Sequence, residues 1–363
     1  RRQAMARAQD RIATLSAKHI RMPLKETFET AKRRTDASDV VIVELTTETG
    51  IVGIGSATPV EYVTGETVDS VMASVREVEA HITGMRVLLF PGIALKLSEL
   101  LPDAPSARAA IEFALIDAVG KLLYRPFYQV LGGKARRIET DLTIPVVPPE
   151  HASELAASAA EKGFSTFKVK VGSKNIDEDL DRAIAISRIA PQSRLIVDAN
   201  QGFEPEQAVS FARRLAEYEV NVAVYEQPVD RQDVEGLAYV TRSVHVPVFA
   251  DESVLTRSDL IKLARSKAVS GVNIKLMKSG FFGAAEIAIG CRAYGLDMML
   301  GCMIEARPGI TAAVHFACVE QGISHFDLDA DLLLAEQGCG GFIRNGAWIE
   351  PVKAPGLGCQ SES

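Results

Sequence analysis

The sequence predicts an α/β protein in which a small α+β domain precedes a barrel of about eight βα units. Short apolar runs such as LTIPVV, FKVKV and LIVDAN alternate with amphipathic segments from about residue 140 onward. They lack the polar alternation of an exposed strand, which is typical of parallel strands buried on both faces. Five ionisable residues end successive runs at separations of 28, 28, 25 and 24 residues: Lys170, Asp198, Glu226, Asp251 and Lys275. This βα repeat predicts a TIM barrel, whose active sites lie at the carboxyl ends of the strands.

The first third of the chain has a different pattern. Residues 11–60 are predicted to form a meander: IATLSAKHIRM as a strand, LKETFETAKRRTDAS as a polar loop, and VVIVELTT with IVGIGSA as a hairpin. Residues 66–125 are predicted to be helical. In SARAAIEFALIDAVGKLL the apolar residues recur on one face, and Ser106 is a candidate N-cap. This part of the chain is therefore expected to be α+β.

The composition argues against several classes of protein. The formal net charge is -7 at pH 7, and no basic stripe is visible, so no nucleic-acid partner is expected. No apolar run approaches the roughly 20 residues of a membrane span, so no membrane partner is expected. The five cysteines are odd in number and lack CxxC spacing, which predicts reduced, mostly buried thiols in a cytoplasmic protein. Residues 1–10 are expected to be a frayed leader.

Three carboxylates end neighbouring strands of the predicted barrel. Asp198, Glu226 and Asp251 would lie together at its mouth, where three anions repel each other unless a cation joins them. Oxygen ligands without histidine or cysteine favour Mg²⁺ or Mn²⁺ over zinc. The alternative for each residue alone is a cap for the helix that follows it. As a set, they predict a metal site in which positions remain for substrate oxygens.

The segment FKVKV places two lysines on one face of a strand. Lys168 and Lys170 would close one side of the predicted metal site, and Lys275, three strands farther round the barrel, would face them. A lysine acts as a base only when it is neutral, and a neighbouring cation lowers its pKa. Lys168 and the metal would therefore help to hold Lys170 neutral. Lys278 is expected to reach solvent or a helix start.

Two bases and a divalent cation predict proton abstraction next to a carboxylate. The metal and Lys168 would stabilise the enediolate charge that develops. Removal of the proton on one side and its return on the other inverts a stereocentre. Lys170 and Lys275 are the two bases that this chemistry requires.

Five motifs resemble the enolase superfamily, in its muconate-lactonising group. They are KVK (168–170), VDANQGF (197–203), YEQP (225–228), ADES (250–253) and NIKLMKSG (273–280). The resemblance implies a modified (β/α)₇β barrel at residues 131–330, an α+β capping domain at 11–130, and a segment, 331–363, that returns to the cap. It also implies that the two strand-end lysines are the acid/base residues and that the three carboxylates bind Mg²⁺.

Within that group the sequence most resembles the dipeptide epimerases, especially those of the L-Ala-D/L-Glu type. HFDLD resembles their Asp-x-Asp motif on the last barrel strand, which implies that Asp327 and Asp329 hold the α-ammonium of a dipeptide substrate. FETAKR resembles their specificity loop, which implies that Arg33 meets the side-chain carboxylate of a glutamate residue. VTGET and GCMIEARPGITAA also look like segments of this group.

A few positions leave the exact dipeptide unspecified. Gly280 is followed by Phe281 where the group usually carries a second glycine, and this is expected to alter the turn and narrow the pocket. Ser56 stands where many members carry glutamate. The role of Glu305 is open between a site residue and an acid that packs in the barrel.

Other functions remain open from the sequence. The same machinery supports muconate cycloisomerases, o-succinylbenzoate synthases and N-acyl amino acid racemases, although their substrates offer no free ammonium to an Asp-x-Asp pair. A Schiff-base lysine enzyme needs no metal, which the three carboxylates argue against. A catalytically inactive binding relative would usually lack a base or a ligand. Many members form dimers or octamers, so a homo-oligomer is possible, but the sequence specifies no interface.

Overall fold

The computed structural model describes residues 9–336 and 338–359. The chain begins with a three-stranded antiparallel sheet in the order β1-β2-β3. The strands are β1 (Ile12–Glu29), β2 (Arg34–Thr47) and β3 (Val52–Ala57). The predicted hairpin of VVIVELTT and IVGIGSA is confirmed as β2 and β3.

The predicted leader is only partly described, since residues 1–8 lie outside the described residues. Asp10 is buried and accepts a hydrogen bond of 3.2 Å from Thr49 N. Residue 10 therefore packs with the sheet, and for this residue the prediction of a frayed leader is wrong.

A β-hairpin arm replaces the polar loop predicted for LKETFETAKRRTDAS. Strands β1 and β2 pair from Pro23–Ala37, across a bulge, to Glu29–Arg34. Most side chains of the arm are exposed or half-buried, so the apolar alternation that indicates a strand is absent. The arm ends beside the barrel, because Val146 N donates a hydrogen bond of 2.9 Å to Glu29 O.

Helices complete the N-terminal domain, which we call the cap. In the described part of the chain they are α1 (Glu61–Thr64), α2 (Val68–Ile82), α3 (Phe90–Leu100), α4 (Pro105–Leu122) and α5 (Phe127–Val130), with a 3₁₀ turn at Val87–Leu89. Strand β3 packs directly on α4, where a Cβ at Gly53 would lie 2.0 Å from Ala114 O.

The start of α4 differs from the prediction. Ser106 is not the N-cap, because the helix already begins at Pro105. Instead, the carboxylate of Glu66, from the loop after α1, accepts hydrogen bonds from Ser106 N (2.8 Å) and Ala107 N (3.0 Å). Backbone N–H groups of the first turn, which have no partner within the helix, are thus satisfied by a residue 40 positions away.

After the short strand β4 (Ile138–Glu139), eight parallel strands follow one another round a barrel. They are β5 (Leu142–Ile144), β6 (Thr166–Lys170), β7 (Arg194–Asp198), β8 (Val222–Glu226), β9 (Val248–Ala250), β10 (Gly271–Lys275), β11 (Asp297–Gly301) and β12 (Ile323–Asp327). The connecting helices are α6 (Pro149–Glu161), α7 (Ile176–Ile189), α8 (Pro205–Glu217), α9 (Val234–Ser243), α10 (Arg257–Arg265), α11 (Leu276–Tyr294) and α12 (Arg307–Val319). The predicted fold class, a (β/α)₇β barrel with an α+β cap, is confirmed.

Strands β12 and β5 meet at a seam that closes the barrel. Asp141 N donates a hydrogen bond of 3.0 Å to Phe326 O. Thr143 N donates one of 2.6 Å to Asp329 Oδ2. The seam therefore uses a side chain as well as backbone groups.

The segment after the barrel crosses back to the cap. It contains α13 (Ala330–Leu333), β13 (Phe342–Asn345) and β14 (Trp348–Pro351), and β14 pairs with β4. Leu357 N donates a hydrogen bond of 2.7 Å to Asp117 Oδ1 on α4. No helix of the described residues is long and apolar enough to span a membrane.

Candidate active site

The strand-end residues meet at one mouth of the barrel. Lys170, Asp198, Glu226 and Lys275 are the last residues of β6, β7, β8 and β10, and Asp251 follows β9 directly. All five are buried. Because parallel strands run in one direction, their carboxyl ends form a single rim. The five charged residues that recur in the sequence therefore lie next to one another on this rim.

Three carboxylates of this rim lie close enough to share one cation. Asp198, Glu226 and Asp251 each offer an oxygen, and these three atoms lie within 4.8 Å of one another. An all-oxygen set from three buried carboxylates suits Mg²⁺ and leaves coordination positions for water or a substrate carboxylate. The residues present therefore fit the metal that the sequence predicts.

The lysines are ion-paired with these carboxylates. Lys170 Nζ lies 2.6 Å from Asp198 Oδ2, and Lys275 Nζ lies 2.6 Å from Asp251 Oδ2. Lys168 Nζ lies 3.2 Å from the same Asp198 oxygen. Lys170 on β6 and Lys275 on β10 thus approach the three carboxylates from two different strands, and β7, β8 and β9 lie between these strands.

The environment separates the pKa values of the three carboxyl groups. Burial would raise the pKa of Asp198, but the ammonium groups of the lysines, led by Lys170, lower it to about 2. Burial would also raise the pKa of Asp251, yet Lys275 holds it well below the usual range. For Glu226, burial and the adjacent Asp198 raise the pKa to about 8. The crowding of negative charge is therefore strongest at Glu226, which is the condition that a divalent cation relieves.

The same charges act on the lysines. Burial would lower the pKa of Lys275, but Asp251 raises it above its usual value. Burial would also lower the pKa of Lys168, but Asp327 and Glu226 raise it well above its usual value. A lysine in this site can be neutral only when a metal ion, in place of its own ammonium group, balances the charge of the carboxylates.

Lys278 lies at a helix start, one of the two places expected for it, and is also a residue of the site. It is buried, not solvent-exposed, and its Nζ lies 2.6 Å from Asp251 Oδ1 and 3.0 Å from Asn273 O. Helix α11 begins at Leu276, directly after β10, so the chain turns without a loop and Lys278 folds back against the strand end. Asp251 thus has a second lysine partner.

The Asp-x-Asp pair lies beside the lysines. Asp327 Oδ2 accepts a hydrogen bond of 2.7 Å from Lys168 Nζ, and both aspartates are buried. Burial and the neighbouring Asp327 raise the pKa of Asp329 to about 7. Cys302 Sγ lies within 4.8 Å of an oxygen of each. These acids line one cavity with Lys168, Lys170 and Lys275.

Arg33 lines the same cavity from the tip of the β1–β2 arm. Thr30 Oγ1 accepts a hydrogen bond of 3.2 Å from Arg33 N and so shapes the turn. The structure brings this cap residue to the barrel mouth, and apolar side chains of Phe28, Met303 and Ile304 line the same cavity. A cation and apolar side chains therefore share this cavity.

Several residues of the site were not predicted from the sequence. Asn273 Nδ2 donates a hydrogen bond of 2.8 Å to Glu226 Oε1, and Asn200 N donates one of 2.9 Å to Asp198 Oδ1. Tyr62, in α1, also lines the cavity. Asn200 follows Asp198 closely in VDANQGF, and this spacing was the available signal.

Two questions left by the sequence are answered by the packing. Glu305 Oε1 accepts a hydrogen bond of 3.0 Å from Met303 N, so this buried acid holds the loop after β11. Phe281 does not narrow the cavity. Its ring packs edge to face on Phe127 and Phe316 in the core, and the turn is made by Gly280 with φ 74°.

Comparisons with known proteins cover almost the whole chain. The family model described as "Mandelate racemase / muconate lactonizing enzyme, N-terminal domain" matches residues 11–132. The model described as "Enolase C-terminal domain-like" matches residues 150–362. The two matches correspond to the cap and to the barrel with its C-terminal segment.

Similar proteins include several epimerases. The chain is 37% identical to the L-Ala-D/L-Glu epimerase of Clostridium acetobutylicum, over 94% of this chain and 96% of the relative. It is 35% identical, with a TM-score of 0.93, to the substrate-liganded L-Ala-D/L-Glu epimerase of Bacillus subtilis, covering 96% of this chain and 98% of that one. It is also 35% identical, with a TM-score of 0.92, to the dipeptide epimerase of Enterococcus faecalis in complex with Mg and L-Leu-L-Tyr, covering 97% and 100%.

Proposed function

The chain belongs to the mandelate racemase and muconate lactonizing enzyme family of the enolase superfamily, and on this premise we propose that it is a Mg²⁺-dependent dipeptide epimerase of the L-Ala-D/L-Glu type. The observation that carries the proposal is the pair of buried lysines, Lys170 and Lys275, that meet one group of carboxylates from strands β6 and β10. Two bases so arranged reach the α-carbon of a bound dipeptide from two sides.

The two lysines perform the proton transfer. One neutral lysine removes the α-proton of the C-terminal residue, and the other, as an ammonium, returns a proton to the opposite face. Lys170 and Lys275 each hold the proton at Nζ, and each alternates between acid and base with the direction of the reaction. When bound, Mg²⁺ supplies positive charge next to the substrate carboxylate and so favours loss of the α-proton. Asp198, Glu226 and Asp251 are the residues that would hold it.

Lys168 has a different role from the two bases. Its ammonium lies within 3.2 Å of oxygens of Asp198, Glu226 and Asp327. This charge is therefore held in place at the centre of the site. We assign Lys168 to the stabilisation of negative charge on the substrate carboxylate.

The substrate class follows from the acids and the arginine at the cavity. Asp327 and Asp329 provide two carboxylates for the α-ammonium of a dipeptide, a group that the substrates of muconate cycloisomerases and N-acyl amino acid racemases lack. Arg33 provides a cation for a side-chain carboxylate at the second residue. This set supports a dipeptide that ends in glutamate.

Mg²⁺ is the proposed resident ion, and Mn²⁺ fits the same oxygen ligands. We also propose that the protein acts in the cytoplasm, where buried thiols such as those of Cys291 and Cys318 stay reduced.

Proton exchange tests the proposal directly. L-Ala-L-Glu is incubated with purified protein and Mg²⁺ in D₂O, and NMR follows the α-proton of glutamate. We expect loss of this signal together with appearance of L-Ala-D-Glu, and no reaction after EDTA treatment. Absence of exchange with every dipeptide tried would overturn the proposal and favour N-acyl amino acids or a cycloisomerase substrate.

A second candidate is an epimerase of hydrophobic dipeptides. Phe28, Met303 and Ile304 line the same cavity as Arg33, and the similar protein of Enterococcus faecalis is described with bound L-Leu-L-Tyr. A panel that pairs L-Ala-L-Glu with L-Ala-L-Leu and L-Ala-L-Lys separates the candidates. Preference for L-Ala-L-Leu would retain the two-lysine mechanism and remove Arg33 as a substrate ligand.

A further inference from the structure

A buried arginine holds the backbone of one catalytic lysine. Arg182, on α7 behind β6, has no exposed side-chain surface. Its Nη1 donates a hydrogen bond of 3.0 Å to Lys170 O, the carbonyl of the last residue of β6. Its Nε donates one of 2.6 Å to Val147 O, in the loop after β5. The guanidinium therefore joins the carboxyl ends of two neighbouring barrel strands.

An aspartate on the same helix holds the other side of the turn that follows Lys170. Asp179 Oδ1 lies 2.7 Å from Arg182 Nη1, and this carboxylate accepts hydrogen bonds of 2.8 Å from Ser173 N and from Ser173 Oγ. Gly172, in the turn between Lys170 and Ser173, has φ 82°, and a Cβ there would lie 2.6 Å from Ala199 O. The turn is therefore tight and is held by one buried ion pair.

Stability alone is a poor reason for such a pair. Removing two charges from water has a desolvation cost that their attraction offsets only in part, and apolar replacements of similar volume are often neutral or stabilising. What the pair supplies in addition is geometry, since a planar guanidinium fixes the directions of its hydrogen bonds. Here those bonds end on the carbonyl of Lys170 and, through Asp179, on the backbone three residues later.

We propose that Arg182, supported by Asp179, is a positioning residue for Lys170 that fixes the distance of its Nζ from the substrate α-carbon. This inference rests on the proposed two-lysine epimerase. A displacement of 1 Å at a reacting group can reduce the rate by about 100-fold. No corresponding contact joins Arg182 to Lys275 among the described residues, so its loss acts on one face of the substrate.

The two faces can be observed separately. A lysine carries several exchangeable protons, so it can remove an α-proton and return a deuteron to the same face without inversion. Net epimerisation needs both lysines and falls equally in both directions, because the equilibrium constant is fixed. Exchange without inversion needs only the lysine that faces the α-proton of the epimer supplied.

The experiment compares Arg182→Met with the parent protein, supplying L-Ala-L-Glu and L-Ala-D-Glu in separate D₂O reactions. Lys170→Ala identifies the epimer whose α-proton faces Lys170, as the one that this variant fails to exchange. For that epimer we expect exchange by Arg182→Met to fall by about 100-fold. Exchange of the other epimer should stay close to the parent rate.

Two further variants keep the result interpretable. Asp179→Asn is expected to give the same asymmetry and serves if Arg182→Met does not fold. Lys121→Met breaks a 2.7 Å ion pair with Asp117 in the cap domain, which contains neither catalytic lysine. This variant should lower thermal stability without a difference in exchange between the two epimers. Equal loss of exchange for both epimers in the folded variants would overturn the inference. If the parent protein exchanged neither epimer nor any other dipeptide, the proposed function itself would fail.

Discussion

Lys168 Nζ donates a hydrogen bond of 2.7 Å to Asp327 Oδ2, which joins a lysine of β6 to a carboxylate of β12 on the far side of β5. The same ammonium lies 3.0 Å from Glu226 Oε2. A substrate ammonium at Asp327 would therefore meet a carboxylate whose charge is already partly balanced. Asp329 is therefore the acid whose charge remains to balance the substrate ammonium.

This relationship makes Asp329 the sensitive member of the Asp-x-Asp pair. In Asp329→Asn the amide oxygen still accepts the hydrogen bond from Thr143 N, but the negative charge is lost. A hydrogen bond to a charged group contributes about 1.5–3 kcal/mol, so kcat/KM for L-Ala-L-Glu should fall by about 10- to 150-fold. Steady-state kinetics measure this. The variant and the parent should differ little on an N-acetylated dipeptide, and a large difference there would contradict an ammonium site.

Removal of one base should separate exchange from inversion. In Lys275→Ala, epimerisation should fall by about 10²–10⁴-fold, the usual contribution of an acid/base group. Exchange of one epimer with D₂O should persist, because Lys170 remains. NMR reports both events in one sample. Lys262→Ala, at an exposed lysine of α10, is the control. Equal loss of exchange for both epimers would argue against two independent bases.

Metal binding should be visible as stability. A ligand that binds only the folded protein stabilises it, by about 2.7 kcal/mol at 100 times its Kd. The melting temperature should therefore rise as Mg²⁺ is titrated in and return after EDTA. Glu226→Gln removes one of the three carboxylates and should reduce the shift. Glu206→Gln, an exposed residue of α8, should keep the parent response. An unchanged shift in Glu226→Gln would place the ion elsewhere.

His315 should make the fold sensitive to acid. Burial lowers the pKa of this imidazole to about 3, so the folded protein keeps it neutral while the unfolded chain binds a proton below pH 6.5. The folded state binds fewer protons, so its stability falls as the pH drops below 6.5. Between pH 6.5 and pH 5 the free energy of unfolding of the parent protein should fall by about 2 kcal/mol relative to that of His315→Asn.

Urea unfolding at several pH values measures this slope. His315→Asn should flatten the slope, because the titrating group is gone. His151→Asn, at a side chain that is 41% exposed, should leave it as in the parent protein. The same slope in His315→Asn would assign the acid sensitivity to other groups.

The barrel and its charged rim were predictable because each βα unit places a polar residue after an apolar run, at a nearly constant spacing in the sequence. Asp198 and Glu226 recur at one interval, and each follows an apolar run. Contacts between distant segments left no such pattern. Glu66 caps α4 from another loop, and Lys278 turns back on Asp251 only because α11 starts without a linker. The β1–β2 arm was missed because its strands have little apolar alternation.

The closing seam has a consequence for synthesis of the chain. Strand β5 is synthesised early, but Asp329, which follows β12 and accepts the hydrogen bond from Thr143 N, comes 186 residues after Thr143. At about 5–20 residues per second, a ribosome needs roughly 10 to 40 s to deliver it. During that time β5 presents an open edge, and an open edge is a template for pairing with another chain. The strand spans only Leu142–Ile144. Its shortness limits the risk of aggregation while the nascent barrel waits for its last strand.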